Sequence, residues 1–278
     1  MKLNKLIALP LMMALLSCNS DEKKAGELLQ RAEISFTAGD YSLAKLQIDS
    51  IRTLYPKAFD TRKAGIKLMQ QVDLQEQQKT LVYLDSVMTV KQASLDSIKG
   101  NFVLEKDTAY QEIGNYFYPT QIVEKNIGRS FLRGQVNELG EMSITSIYCA
   151  GGKLQHRAVK VSVDDMFAET PISPDCYETT DLGRTTEKAD YKLGADGGVI
   201  AFITANQDKK NIRLEFLGDR NYKTVMHPND VKAIAELSRL AQVLSSIEEI
   251  RKEQKEANLK IRFVTRKMEE ASSSESAE

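Results

Sequence analysis

The sequence predicts an α+β protein in which an antiparallel β domain, a sandwich, is inserted between two long helices that form an antiparallel coiled coil. Apolar residues recur at helical spacing over residues 26–100 and 227–270. Segments rich in valine, isoleucine, phenylalanine and threonine occur within residues 101–226, and turn residues separate some of them. The helical parts therefore flank the β domain.

The composition excludes some classes of function. The 278 residues contain 38 Lys+Arg against 39 Asp+Glu, so the chain lacks the basic excess that a nucleic-acid partner requires. Two histidines and three cysteines stand at no spacing that metal or catalytic chemistry needs. We therefore predict no catalytic residue, no metal site and no cofactor, and a hydrolase that uses scattered carboxylates is the least supported alternative.

The N-terminus carries the most specific motif. Two lysines within the first five residues precede an apolar stretch at 6–16 that is too short to span a bilayer. The following Leu-Leu-Ser-Cys at 15–18 resembles a bacterial lipobox. This resemblance implies that residues 1–17 are a signal peptide and that Cys18 receives the lipid. An ordinary signal peptide with a chance cysteine is the alternative.

The residues behind the cysteine bear on localisation. Residues 18–25 are interpreted as a polar tether. The position directly after the cysteine holds Asn19 and not the aspartate that retains some lipoproteins at the inner membrane. The following Ser20-Asp21-Glu22 is similar to an acidic export tag of surface lipoproteins. We therefore expect a cell-envelope protein that is lipid-anchored to the outer membrane, on either its periplasmic or its surface face.

The first helices resemble one tetratricopeptide repeat. Small residues allow two helices to approach closely, and a glycine and an aspartate suit the C-cap and the next N-cap. The positions that carry the resemblance are Ala32, Gly39, Asp40, Tyr41, Ala44 and Pro56. The resemblance implies a helical hairpin that binds proteins, and a generic helical hairpin is the alternative.

The two long helices are predicted to pair with a defined register. Apolar residues at heptad spacing are typical of a coiled coil. If the polar seam residues Gln77 and Gln254 face each other, Lys91 lies near Glu236 and its ammonium could reach that carboxylate. The first stalk helix belongs with the hairpin in residues 26–100, the second covers 227–270, and residues 271–278 form a disordered tail.

The β domain is predicted from strand-like segments at 130–136, 143–149, 155–163, 199–204 and 212–217. Turn residues at 150–152 and 208–211 predict two hairpins. The acidic segment 164–192 lacks the alternating pattern of a calcium loop, so a solvated loop is expected there.

A few residues of this domain are candidates for a specific role. Cys149 and Cys176 could form a disulfide outside the cytoplasm, or be a buried small residue and a chance thiol. Tyr116 and Tyr118 could contact a ligand, although aromatic residues there more often pack in the core. His156 is expected on a strand surface, and His227 is expected in the turn before the second long helix.

These observations lead to one functional hypothesis and one alternative. The first is a non-catalytic envelope lipoprotein that acts as a protein-interaction or structural module, attached to the membrane through lipidated Cys18. The alternative is a surface glycan-binding lipoprotein that uses Tyr116 and Tyr118 of its β domain. The partner is accordingly an unidentified envelope protein or a glycan.

Overall fold

The computed structural model describes residues 10–181 and 183–275, with the side chains of residues 20–273 apart from residue 182. It is an α+β fold, with five α-helices and two antiparallel sheets in this part of the chain. The helices α1 to α5 are Pro10–Thr37, Tyr41–Leu54, Phe59–Lys99, Val199–Ala205 and Pro228–Glu275. The first nine residues of the predicted signal peptide, the Cys18 side chain and the last three residues of the predicted tail lie outside the described part.

The chain divides into two compact units, which are described separately. Met1–Ser86 with Lys252–Glu278 forms the helical unit, and Val87–Arg251 forms the β unit. Within the described residues, no helix has both the length and the hydropathy needed to cross a membrane.

The helical unit begins with two packed helices. Gly39, at a φ of +79°, ends α1, and the Asp40 carboxylate caps α2 by accepting a hydrogen bond from the Leu43 N–H at 3.0 Å. Gly39 was predicted to end the first helix and Asp40 to start the second, and both predictions are confirmed. Ala32 and Ala44 have no exposed surface, and they pack in one cluster with residues of α2 and α3, namely Ile48, Leu68 and Val72.

The predicted tether is wrong, because residues 18–25 belong to helix α1. Tertiary contacts hold this segment in place. Ala25 is fully buried in a cluster with Ile51 and Ala58. The Glu22 carboxylate accepts hydrogen bonds from the backbone N–H of Thr61 at 2.8 Å and from its hydroxyl at 2.6 Å, at the start of α3. The predicted disordered tail is also wrong as far as it is described, since α5 continues to Glu275.

The predicted register of the long helices is wrong. In the helical unit the Gln254 amide donates to the Asp85 carboxylate at 2.7 Å, whereas the Gln77 amide donates to the neighbouring Glu76. Asp85 lies eight residues beyond Gln77, so the alignment differs by about two helical turns. A carboxylate is a stronger acceptor for an amide than a second amide, which favours the observed pairing.

The predicted contact between Lys91 and Glu236 is also replaced. Glu236 forms its ion pair with Arg239 at 3.4 Å, three residues further along α5. Among the described residues no ion pair joins Lys91 to Glu236.

The β unit contains ten strands in the described residues. They are β1 (Val103–Glu105), β2 (Asn115–Phe117), β3 (Phe131–Asn137), β4 (Met142–Ala150), β5 (Ala158–Val163), β6 (Met166–Glu169), β7 (Cys176–Asp181), β8 (Arg184–Lys192), β9 (Arg213–Leu217) and β10 (Tyr222–Val225). One sheet has the order β1-β2-β3-β4-β8-β7, and the other has the order β10-β9-β5-β6. All neighbouring strands are antiparallel.

Both sheets and the first half of α5 contribute to one hydrophobic core. Ile144 of the larger sheet, Phe216 of the smaller sheet and Leu237 of α5 are all fully buried in it. Gly140, in the turn between β3 and β4, has a φ of +84° and lies against the α5 backbone. An added Cβ there would lie 2.3 Å from the Ser245 nitrogen, so the approach requires glycine.

One predicted strand is a helix. Residues 199–204 have the β-branched composition of a strand, yet they form α4. The Asp196 carboxylate accepts a hydrogen bond from the Ile200 N–H at 2.7 Å, and Gly198 adopts the left-handed conformation at the N-cap. The cap, together with the burial of Val199 and Ile203 on one side of the helix, outweighs the strand propensity of the β-branched residues.

The acidic segment 164–192 is not a loop, because it forms β6, β7 and β8. In β8 alternate residues point into the core, but one of them is a glutamate, Glu187, so the period-two pattern is hidden in the sequence. The two predicted hairpins are also wrong. Residues 150–152 connect strands of different sheets, and residues 208–211 connect α4 to β9.

Candidate functional site

A polar cavity of about 510 Å³ lies in the β unit, between the segment 120–132 and the start of α5. Its apolar wall includes the nearly buried Phe131 and Met226 and the exposed Val225. The polar wall comes from residues on loops and helix ends, including Lys125, Arg129, His227 and Asn229. The volume lies in the range typical of sites for small molecules.

Arg129 is held in a fixed orientation at the wall of this cavity. Its guanidinium donates to the Asn126 side-chain oxygen at 2.6 Å and forms a short ion pair with Asp230. The guanidinium carbon lies 4.5 Å from the centre of the Phe131 ring, a cation–π distance. The side chain nevertheless remains 36% exposed. These contacts restrict the guanidinium without covering it.

Buried groups position the partners of Arg129. The Gln121 amide donates to Asp230 at 3.3 Å and to the Leu132 carbonyl at 2.8 Å, while its oxygen accepts from the Gly134 N–H at 2.9 Å. Gln121 has no exposed surface, and the Asp230 side chain is 3% exposed. The frame links β3 to the first turn of α5, so the two elements fix the wall of the cavity together.

Other donors line the same cavity. The exposed Lys125 ammonium donates to the Pro119 carbonyl at 3.0 Å and keeps two further N–H groups. His227 accepts a hydrogen bond on Nδ1 from the Asn229 N–H at 3.1 Å, so its neutral ring carries the proton on Nε2. His227 lies directly before α5, and its predicted place in the turn is confirmed. The charges of Asp230 and Arg129 balance each other in their ion pair. The ammonium of Lys125 therefore leaves the wall of the cavity with a net positive charge.

A second polar arrangement lies inside the β unit. The Ser146 hydroxyl is 2.8 Å from Nε2 of His156, and Nδ1 of His156 is 2.9 Å from the Glu187 carboxylate. If Nδ1–H donates to Glu187, a lone pair on Nε2 of His156 can accept a hydrogen bond from the Ser146 hydroxyl. This is the connectivity of a serine nucleophile, a histidine base and an orienting carboxylate. The prediction that His156 lies on a strand surface is wrong.

Glu187 is the central acceptor of this network. Its carboxylate accepts backbone hydrogen bonds from Leu154, Gln155 and His156 at 2.7 to 3.0 Å, besides the bond from the His156 ring. Burial raises the pKa of the Glu187 carboxyl, but the bonds from His156, Gln155 and Leu154 outweigh it and hold this pKa below its ordinary value. Glu187 is therefore ionised and anchors the segment before β5.

The geometry closes this network to a substrate. The relative exposure is 0% for Ser146, 2% for His156 and 3% for Glu187. Ser146 lies on a central strand between Leu132 and Ala189, and its hydroxyl also lies 3.3 Å from the Ala189 carbonyl. A hollow of about 290 Å³ reaches His156 and Glu187, but Ser146 does not line it. As folded, the network can stabilise the β unit but cannot present the serine to a carbonyl.

No sequence spacing could have found this network. Its members come from β4, from the segment before β5 and from β8, and Glu187 lies 31 residues beyond His156. A weak signal was present in β8, where Thr185, Glu187 and Ala189 fall on one face, although the glutamate obscures the apolar alternation. A carboxylate on the inner face of a strand needs a buried partner. The chain has two histidines that could have been the partner of Glu187, but the sequence did not show which of them lies close to it.

The predicted ligand contacts do not form a binding surface. Tyr116 is 4% exposed and belongs to the hydrophobic core, so it is not available to a glycan. Tyr118 is half-buried, packs against the same core and makes an edge-to-face contact with Phe102 at 6.1 Å between ring centres. Core packing, which was expected to be the more common role of aromatic residues here, is thus the observed one for Tyr116.

The predicted disulfide is not present, since both Cys149 and Cys176 are free thiols. Cys149 lies on β4 opposite Thr186 of β8, whereas Cys176 lies on β7 opposite Ala189. The strand β8 separates them by two strand spacings, about 9.5 Å. They are also offset by three residues, so the two side chains leave opposite faces of the sheet. This placement rules out a bridge without rearranging the sheet.

The helical unit has a separate apolar groove of about 260 Å³ between α2 and α3. Its wall contains Ile48, Ile51, Ile66 and Met69, and Gly65 leaves room above Ile48. Arg52 and Arg62 also line it, against a single acid, Asp49. The groove is therefore apolar with a small positive surplus.

Comparisons with protein-family models, with curated proteins and with solved structures find no match for this chain. Within the described residues, no group of three or more histidine, cysteine, aspartate and glutamate side chains could hold a metal ion. Any functional proposal must therefore rest on the sequence motifs and on the geometry of the two units.

Proposed function

We propose that this protein is a non-catalytic lipoprotein of the cell envelope and that its helical unit binds another protein. Its anchor is the lipid on Cys18, since the Leu-Leu-Ser-Cys motif at 15–18 resembles a lipobox. Acyl chains contribute roughly 0.8 kcal/mol per buried methylene, so several chains on one cysteine hold a protein on a membrane. Anchoring to the outer membrane, on its periplasmic or its surface face, is part of this proposal.

Two finer features of the fold belong to the proposal. The first is a tetratricopeptide-like hairpin formed by α1 and α2, which is supported by the fully buried Ala32 and Ala44 and by the Asp40 cap. The second is a β sandwich inserted between two helices of an antiparallel coiled coil. The shared core of the two sheets and the position of all ten described strands between α3 and α5 support it.

The observation that carries the interaction role is the apolar groove of the helical unit, whose wall includes the 61% exposed Ile66. Phe59 and Leu54, which are close to the groove residues in sequence, are 70% and 63% exposed. Exposed apolar surface at a groove is typical of a binding site. With Arg52 and Arg62 beside them, the preferred partner is a protein segment that combines apolar and acidic side chains.

The proposal is tested by matched substitutions in the full chain. Ile66→Glu places a carboxylate in the groove wall, whereas Ile34→Glu changes an equally exposed residue of α1 outside the groove. An envelope protein that co-purifies with the wild type should be lost with Ile66→Glu and retained with Ile34→Glu. Equal recovery with both variants would refute a role for the groove.

The non-catalytic part is tested with a fluorophosphonate, which labels activated serines. Because Ser146 has no exposed surface, the folded protein should be labelled no more than Ser146→Ala. Stoichiometric labelling of Ser146 in the folded wild type would overturn this part of the proposal and revive a hydrolase.

A further inference from the structure

We infer that the cavity of the β unit binds a small organic anion, whose oxyanion group lies on Arg129 and Lys125 and whose body lies on the apolar wall. This inference concerns the β unit only and does not depend on the groove of the helical unit.

Arg129 is held ready to bind an anion. Two N–H groups of its guanidinium are used by Asn126 and Asp230, which leaves three of the five for another acceptor. The cation–π contact with Phe131 and the two hydrogen bonds fix the orientation of the guanidinium before any ligand arrives. A prepositioned donor fork of this kind suits carboxylate and phosphate groups, since the ordering cost is already met by the fold.

The polar wall of the cavity has a surplus of positive charge and of hydrogen-bond donors. Arg129 and Asp230 form a neutral pair, because Asp230 is buried and accepts from both Arg129 and Gln121. The ammonium of Lys125 is then the uncompensated charge on the wall. His227 adds a neutral N–H donor on Nε2, as its Nδ1 accepts from Asn229. The polar wall is rich in donors and positive, which selects oxyanions over cations and over neutral sugars.

The rest of the cavity has room for an organic body. Its volume of about 510 Å³ exceeds what an inorganic ion needs, and the exposed side chain of Val225 supplies apolar surface beside the nearly buried Phe131 and Met226.

The test is calorimetric titration of the full protein in a phosphate-free buffer. The probes are phenyl phosphate and benzoate as organic anions, inorganic phosphate as the ion alone, and phenyl β-glucoside as a neutral molecule with the same ring. At least one organic anion should bind more tightly than the other two probes, and its affinity should fall as salt is added. Binding of neither organic anion, or equally tight binding of the glucoside, would overturn the inference.

Two variants locate the site. Lys125→Gln removes the surplus charge at an exposed position, and Arg129→Lys keeps a cation beside Asp230 but loses the planar fork. Each should weaken binding of the organic anion by about tenfold, the effect of losing one charge-assisted hydrogen bond. The control, Lys210→Gln, removes a charge from an exposed loop outside the cavity and should leave the affinity unchanged.

The Lys125 side chain makes one hydrogen bond to a carbonyl at the surface, so Lys125→Gln should remain folded. This variant therefore tests the site even if Arg129→Lys unfolds. The thermal unfolding midpoint of each variant shows whether it is folded. An unchanged affinity of folded Lys125→Gln would refute the assignment of the anion to this cavity.

Discussion

Replacing Glu187 by glutamine should destabilise the β unit strongly, although the two side chains have almost the same shape. The carboxylate accepts three backbone N–H groups and the ring N–H of His156. A glutamine oxygen can keep the bonds from Leu154 and Gln155. Its NH₂ group then faces the two donors of His156, so two charge-assisted hydrogen bonds are lost.

The size of this effect follows from the number of lost bonds. Hydrogen bonds to a charged group contribute roughly 1.5–3 kcal/mol each, so the loss of two in Glu187→Gln should lower the free energy of unfolding by about 3–6 kcal/mol. The control is Glu178→Gln, since Glu178 lies opposite Glu187 on the edge strand β7 and pairs with Lys153 at the surface. An exposed pair contributes about 1 kcal/mol or less, so this variant should stay close to the wild type.

The pH dependence provides a second measurement on the same variant. Folding lowers the pKa of Glu187 below its ordinary value of about 4.5. The stabilisation by its carboxylate is therefore complete above that pH and is lost as the pH falls through the folded-state pKa. The difference in stability between the wild type and Glu187→Gln should accordingly narrow in acid.

Urea unfolding followed by tyrosine fluorescence suits this protein, because the chain has no tryptophan and Tyr148 and Tyr191 are buried in the β unit. A loss below about 1 kcal/mol, equal to that of Glu178→Gln, would refute the anchoring role of Glu187. If the difference in unfolding free energy between the wild type and Glu187→Gln stays constant between pH 7 and pH 3, the Glu187 carboxylate is not ionised in the folded protein.

Three further outcomes are expected. Cys18→Ala should release the protein from membranes, because the lipid anchor is lost; a variant that still sediments and is still acylated would contradict the lipoprotein assignment. Cys176 should be alkylated in the folded protein without reductant, since it is an exposed free thiol, and a non-reduced peptide joining it to the β4 cysteine would contradict the structure. Finally, cysteines at Asp85 and Gln254 should crosslink readily in a background without the two native thiols of the β unit, because these side chains are in contact. A pair at Gln77 and Gln254 should not crosslink, and the reverse result would restore the register predicted from the sequence.

The sequence by itself determined the features that depend on local patterns. The helices before Pro56 follow from Gly39, Asp40 and the spacing of small residues, because caps and helix contacts act over a few positions. The two long helices follow from heptads that persist over several turns. Three strands of the β unit, β3, β4 and β9, lie within about one residue of their predicted limits, because branched and aromatic residues suit a half-buried sheet.

The tertiary structure decided every feature that depends on a distant partner. The register of the long helices brings Gln254 to Asp85, a residue outside the predicted seam, and not to Gln77. Residues 199–204 became a helix because Asp196 caps them. Residues 18–25 became helical because Ala25 and Glu22 contact α2 and α3.

The same reason explains the candidate sites. The polar cavity joins a loop to a helix start about 100 residues away, with Arg129 on one and Asp230 on the other. The buried network joins Glu187 to His156 across two elements. Patterns of polarity show which residues of a strand or helix can be buried, but they contain no information on which charged residue meets which partner. That choice is made when the whole chain packs and each buried charge must be satisfied by a group that is near in space and far in sequence.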